Sequence, residues 1–243
     1  MDRAEKEDLI IEAKKFFDLY KKEFGNSIRK GSNVIFIDFM KLTEFSNKLS
    51  DEILANPEDA LRIIELSIEE SGLVRNARVR LVNLPEELTT KIENISFRDY
   101  NRLIVVEGKI KGISNIGIKT IKAKFECLNC GSILSIYPKG GELVEPDKCS
   151  CGKKRNFFLI NREQVDNQQL ILEGLDEKRR GIPNEISIDL NEDLVNPETE
   201  DKIYEGRRVK IVGVLNEIPI RLSKKRTSIF SNFGILVNNI FFI

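Results

Sequence analysis

The stretch "IKTIKAKFECLNCGSILSIYPKGGELVEPDKCSCGKKRNFFLI", residues 118–160, holds all four cysteines of a 243-residue chain. On both sides lie segments rich in β-branched and aromatic residues, as strands are. The cysteines form a CxxC pair, Cys127 and Cys130, and a tighter CxC pair, Cys149 and Cys151, with 18 residues between the pairs. Each pair runs into a glycine, Gly131 and Gly152. The strand series on either side makes the cysteine segment an insertion between two strands of a small barrel.

Two glycine-ended knuckles joined by a short hairpin are the layout of a zinc ribbon. "SILSIYP" and "GELVE" are the expected strands of that hairpin. The chain has no histidine, so any metal here is held by thiolates alone. Zinc accepts four thiolates in a tetrahedron, and four leave no open position for water, which makes the role structural. A disulfide pair or four unconnected thiols are the alternatives. Clustered cysteines in a reducing compartment favour the metal.

Working outward, "RLIVVEGKIKGI", "NFFLI", "QLILEGL", "EISIDL", "RRVKIVGVL" and "FGILVNNIFFI" read as short strands separated by Gly, Asn, Asp and Pro. "NEIPIRLSKKRTSIFSNF" between the last two reads as a projecting hairpin with Arg221, Lys224, Lys225 and Arg226 near its tip. Cations so placed suit phosphate contact, and a solvated loop is the bland alternative. Lys109, Lys111, Lys119 and Lys122 are candidates for a basic groove on the barrel. Aromatic interleaving is weak, so recognition of the backbone is expected rather than of base identity.

The N-terminal third differs. Leu9, Ala13, Phe16, Phe17, Tyr20 and Phe24 share one helical face over residues 5–24, with Gly25 as the expected stop. "NVIFIDF" is a strand, and one helix carrying Phe39, Leu42, Phe45, Leu49 and Ile53 follows. Asn56 and Pro57 begin the next, with Asn56 as N-cap, and Gly72 ends it. The expected fold is therefore α+β and multi-domain. A helical subdomain covers residues 1–92 and ends in the strand "ARVRLVNLP". An OB-fold barrel covers 93–122 and 159–243, and the zinc-binding insertion covers 123–158.

Net charge is zero, with 39 basic and 39 acidic residues, but the first third is slightly acidic and the rest slightly basic. The missing histidine excludes Ser-His-Asp and Cys-His catalysis. No GxxxxGK[ST] loop is present; "EGKI" and "CGKK" do not fit it. No paired carboxylate site stands out. A charged N-terminus and the lack of a long apolar run lead to the expectation of an intracellular, cytoplasmic protein with no membrane partner.

The order of parts, with "LIVVEGKI" before the cysteines, "KAKFEC" leading into them and "ISIDLNEDLV…GRRVKIVGVL" after them, resembles the N-terminal part of the archaeal MCM replicative DNA helicases. The resemblance covers nearly the whole chain. It implies a helical subdomain, a structural Zn(2+) per subunit on Cys127, Cys130, Cys149 and Cys151, and an OB-fold. It implies a homohexameric ring, in some members two rings joined through the zinc subdomains. Single- or double-stranded DNA would pass through its positive channel, with Arg221, Lys224, Lys225 and Arg226 on the channel hairpin. It also implies that residues 168–183 communicate with a C-terminal ATPase domain following Ile243, and a nucleoid-associated location. ATP binding and helicase activity then belong to the full-length protein. The apolar ending "NNIFFI" is expected of a cut just past a domain boundary. Many relatives carry a basic-Pro-basic element before the first cysteine. Here Gly117-Ile118-Lys119 stands there, so Lys119 keeps one single-strand contact and Gly117 cannot supply the other; Lys119 and Lys122 are both DNA-binding candidates. The alternative is an OB-fold and zinc-ribbon adaptor that docks a protein partner through the basic hairpin.

Overall fold

The computed structural model describes residues 3–29, 32–72, 74–138, 143–176, 184–223 and 226–243; for 3–6, 26–29, 219–223 and 226–231 it describes the backbone only. The first layer is helical. Helix α1 (Arg3–Arg29) buries Leu9, Ala13, Phe16, Phe17 and Phe24 along one stripe. It runs through Gly25 instead of stopping there. A single helical glycine costs only about 1 kcal/mol against alanine, and Gly25 does not adopt the left-handed φ that Gly72 does (φ 74°) at the end of α4 (Pro57–Glu70).

Strand β1 (Val34–Asp38) leads into α2 (Phe39–Phe45), whose first amides at Met40 and Lys41 are accepted by the Asp38 carboxylate. The single helix expected next is two helices. Ser46 is extended (φ −153°), and its hydroxyl accepts from Leu49 N to start α3 (Asn47–Ala55) while donating to Glu12. Asn56 does not cap α4 with its side chain, which donates to Glu52 at 2.7 Å instead. Strand β2 (Arg78–Val82) pairs in parallel with β1, so "VRLV" completes a two-stranded sheet inside the helical layer.

The barrel consists of β3 (Leu103–Ile113), β6 (Phe157–Gly174), β7 (Glu185–Asn191), β8 (Arg208–Ser223) and β9 (Arg226–Phe242). Its cyclic order is β3-β6-β7-β9-β8-β3, antiparallel except for the parallel β7–β9 pair. Counting only these five strands, the order is 1-2-3-5-4-1, which is OB topology. Val106, Ile110, Leu170, Leu172, Ile188, Leu190, Ile211, Leu215 and Ile235 fill the interior. Closure occurs at Gly108, paired with Gly174, where a Cβ would lie 2.5 Å from the Glu173 carbonyl oxygen.

Between barrel strands one and two the chain makes an arm. Strand β4 (Gly117–Cys127) pairs with the N-terminal half of β6, and β5 (Ile133–Ile136) adds to the other edge of β4. Two expectations fail here. "NFFLI" and "QLILEGL" are the ends of one 18-residue strand, β6, and β5 pairs with β4, while 143–145 of "GELVE" form no strand and 141–142 lie outside the described residues. Strand β6 is long because it serves the arm with one half and the barrel with the other.

A buried seam fixes the helical layer to the barrel. Leu103, Val105 and Val212 of the barrel wall belong to the helical core. The Arg80 guanidinium meets the Asp193 carboxylate and donates to Asn238 O at 2.8 Å, and Arg78 meets Glu192. The side chains of Asn238 and Asn239 pair with the backbone of β2: Leu81 N to Asn238 Oδ1 (2.8 Å), Asn238 Nδ2 to Val79 O (2.8 Å), Asn239 Nδ2 to Leu81 O (2.9 Å). Two asparagines thus occupy the edge where another strand would lie. Among the described residues no helix is long and apolar enough to cross a membrane.

Candidate metal centre and nucleic-acid surface

The first knuckle is a tight turn at the end of β4. Cys130 N and Gly131 N both donate to Cys127 O (3.2 and 2.8 Å), and Gly131 takes φ 72°. The second closes through Gly152 N to Cys149 O (2.9 Å) and Cys149 N to Lys153 O (2.9 Å), with Gly152 at φ 87°. Glycine at both positions lets the chain turn back without a Cβ penalty. The four Sγ atoms then lie within 4.8 Å of one another, with Cys127 to Cys151 at 3.8 Å and Cys130 to Cys149 at 3.6 Å.

A metal with a Zn–S bond of about 2.3 Å and tetrahedral ligands requires S···S edges of about 3.8 Å. The cluster fits that group, and the short CxC pair reaches the geometry by turning at Gly152. Cys127 and Cys149 are buried, while Cys130 and Cys151 face solvent. Ser132 Oγ lies 3.2 Å from Cys130 Sγ. That hydroxyl first, then the Ser132 backbone and the neighbouring thiols, draw the Cys130 thiol down to about 6. Cys127 is pushed up to about 11: the Asn129 amide favours its thiolate, but burial and the Cys130 and Cys149 thiols outweigh it. One cluster therefore offers a ready thiolate and a thiol that gives up its proton only to a strong competitor such as a metal.

The basic candidates are less uniform. Strands β8 and β9 pair from Val209↔Phe242 out to Ser223↔Arg226, so the "NEIPIRLS…RTSIFSNF" segment is a hairpin continuous with the barrel. Arg221 pairs with Thr227 across it, and Arg226 with Ser223. Lys224 and Lys225 lie outside the described residues, as does 177–183, the greater part of the segment after β6. Phe233 packs against the barrel core at the hairpin root.

Lys119 points across to β7 and is ion-paired with Asp189, which also accepts from Asn167. Lys111 is likewise held, by Glu185 (2.5 Å) and Glu173 (3.7 Å). Lys122 has no acidic partner within 4 Å among the described residues, and its Nζ sits 5.8 Å from the Tyr137 ring centroid. Together with Lys124, Asn161 and Glu163 it lines a shallow 190 Å³ cavity where the arm leaves the barrel. Of these two DNA-binding candidates, Lys122 has no acidic partner among the described residues, and Lys119, the one expected at the single-strand contact, is engaged. Nothing local in the sequence signals this, since Asp189 lies 70 residues away. Lys124, exposed beside Lys122 on the same strand, was not among the candidates.

The arm occupies the loop between barrel strands one and two, and the hairpin the loop between strands four and five. In OB barrels these two loops flank the oligonucleotide-binding face.

A family model described as the MCM OB domain matches residues 91–219, more than half of the chain. The DNA replication licensing factor mcm4 of Schizosaccharomyces pombe is 27% identical over 189 residues, which cover 75% of this chain and 19% of that protein. The DNA helicase MCM8 of Xenopus tropicalis is 27% identical over 261 residues, covering 90% of this chain and 29% of its own length. The chain thus spans about a fifth to three-tenths of the length of these curated relatives. A crystal structure of the N-terminal domain of an archaeal MCM superposes with a TM-score of 0.78 at 22% identity, covering 98% of this chain and 99% of that one. That likeness speaks for the fold. The strand order, the inserted four-cysteine arm and the family match over the barrel agree: this chain belongs to the MCM family.

Proposed function

We propose that this chain is the DNA-binding, ring-forming N-terminal part of an MCM replicative helicase and is itself non-catalytic. The observation that carries the reading is the placement of the two long insertions. A four-thiolate arm and a basic hairpin occupy the two loops with which OB barrels hold oligonucleotides. In this reading Arg221, Lys224, Lys225 and Arg226 meet DNA phosphates in the channel of a ring of six copies. Lys122 supports them, and Lys119 joins only by releasing Asp189. Cys127, Cys130, Cys149 and Cys151 hold one structural zinc per subunit, and rings pair through the zinc arms. Residues 1–92 act as an outer helical subdomain, 93–122 with 159–243 as the DNA-binding barrel and 123–158 as the zinc-binding subdomain. Catalysis falls to an ATPase domain C-terminal to this chain, in a protein working on DNA in the cytoplasm.

The test is the affinity for a single-stranded oligonucleotide across salt concentration. Neutralising four phosphates on a single strand gives a log–log slope of roughly −3. Reversing the charges of Arg221, Lys224, Lys225 and Arg226 together is expected to abolish binding at low salt, with the circular dichroism spectrum unchanged. Unchanged affinity in that variant would sink the hairpin assignment. No binding by the unaltered chain even at low salt would favour a protein-docking adaptor.

A further inference from the structure

Phe97 is 76% exposed, more than any other large apolar side chain among the described residues. Its exposure is not disorder. It lies in a one-turn 3-10 helix, Phe97–Asp99, fixed by a capping box in which the Ser96 hydroxyl accepts from Arg98 N and the Asp99 carboxylate accepts from Ser96 N at 2.9 Å. The ring stacks on Tyr100, with centroids 5.6 Å apart and planes only 5° from parallel. Tyr100 backs one face of Phe97, and Phe97 itself is left largely open to solvent.

The position of the pair matters as much as its shape. Asn101 N donates to Leu215 O (2.8 Å) and Leu215 N to Arg102 O (3.2 Å). Strand β8 is buried from Ile211 to Leu215 and exposed at Glu217 and Ile218, so this tie is at the root of the basic hairpin. Arg98, between the two aromatics in sequence, and Arg102, two residues past Tyr100, are exposed and have no acidic partner among the described residues; the nearby Asp99 carboxylate is used by the capping box. An exposed aromatic ring on a segment that also carries two exposed guanidiniums without acidic partners matches one ligand chemistry: a base to stack and phosphates beside it. An apolar protein partner would have to strip water from both guanidiniums without pairing them.

We propose that Phe97, backed by Tyr100, is a stacking platform for an unpaired base of a single strand, with Arg98 and Arg102 taking the adjacent phosphates. The inference rests on the DNA-binding reading above and adds a contact to the bases themselves, one that tolerates any base identity.

The experiment compares an oligothymidylate with an abasic oligodeoxyribonucleotide of equal length, which keeps the phosphates and lacks the bases. The unaltered chain is expected to prefer the thymidylate. In Phe97→Ala that preference falls by about tenfold, the typical order for one lost base–aromatic stack, while affinity for the abasic strand stays the same. Phe97→Trp restores the preference. A preference unchanged in Phe97→Ala overturns the platform. So does equal loss on both strands with an altered native mass, which assigns the rings to a contact between copies. If the unaltered chain binds both strands equally, the platform alone falls. If it binds neither, the DNA reading falls and takes the platform with it.

Discussion

The barrel carries two appendages, and they are attached by opposite means. The arm is joined through its covalent path: β6 runs unbroken from it into the barrel, yet its buried side chains among the described residues come to little more than Ala123, Phe125, Cys127 and Cys149. On its outer face Ile133 and Phe158 remain exposed. The helical layer has a core of its own, with Phe16, Phe17, Ile37, Leu42, Ile53 and Ile64 nearly inaccessible, and meets the barrel side chain to side chain. An appendage with a core needs a joint, whereas one without a core needs a clip. In the proposed reading, a metal on the cysteine cluster is that clip.

Metal removal is the strongest way to break this contrast. Structural zinc on thiolates contributes roughly 10–16 kcal/mol to small domains, far more than the buried area of this arm supplies. Chelation, or Cys149→Ser, is expected to release the amides of 127–136 and 149–157 to hydrogen exchange while those of β1, β2 and the barrel half of β6 stay protected. Protection of the arm unaffected by chelation would refute the clip. Zinc affinity should rise with pH, because protons compete for the thiols: Cys127, held up to about 11, must lose one to bind, and below about 6 Cys130 must too.

The helical layer should fail separately. Leu42 is fully buried, and Leu42→Ala is expected to cost about 2–5 kcal/mol, read from the denaturant midpoint, with no change in zinc affinity. At the joint, Asn238→Leu keeps similar volume but leaves Leu81 N and one bond of Val79 O unmet. That costs about 2 kcal/mol and should appear as faster exchange at Leu81 before the barrel amides change. A uniform rise across the barrel would mean that the seam is part of the barrel's own stability.

What the sequence revealed follows the same division. The barrel strands were legible because one face of each is buried, which imposes alternation, and the cysteine cluster was legible because ligand spacing is local. Strand β6 appeared as two because its middle, "NREQVDNQQ", lies mostly in solvent on both faces where the arm departs, so no alternation marks it. The Ser46 break was hidden because Phe39, Leu42, Leu49 and Ile53 stay on the buried side of both helices. Asn238 and Asn239 looked like ordinary residues in an apolar strand. Their partners on β2 are more than 150 residues away, and only the docked structure shows that they take a strand's place.

The smallest effect separates the two attachments by the sign of their pH dependence. Glu65 on α4 accepts from Val79 N at 3.1 Å and lies 3.7 Å from Arg78 and 3.8 Å from Arg62. Burial pushes its carboxyl above the ordinary value, although the Val79 amide and then the arginines pull the other way. A carboxyl whose folded value is raised binds its proton more tightly in the folded chain. Its contribution is therefore most favourable below the unfolded value and declines as pH rises toward the folded one. Glu65→Gln keeps the acceptor for Val79 N and removes the titration. The difference in stability between the original and the variant should be less than about 1 kcal/mol and should shift toward the variant as pH rises from about 4 to neutrality. Urea midpoints at both ends of that range measure it. A shift in the opposite direction would mean that the arginines govern this carboxylate rather than its burial. The thiolate clip has the reverse sign and gains as protons leave. Mild acid should therefore loosen the arm first while easing the burial cost of Glu65 within the helical layer.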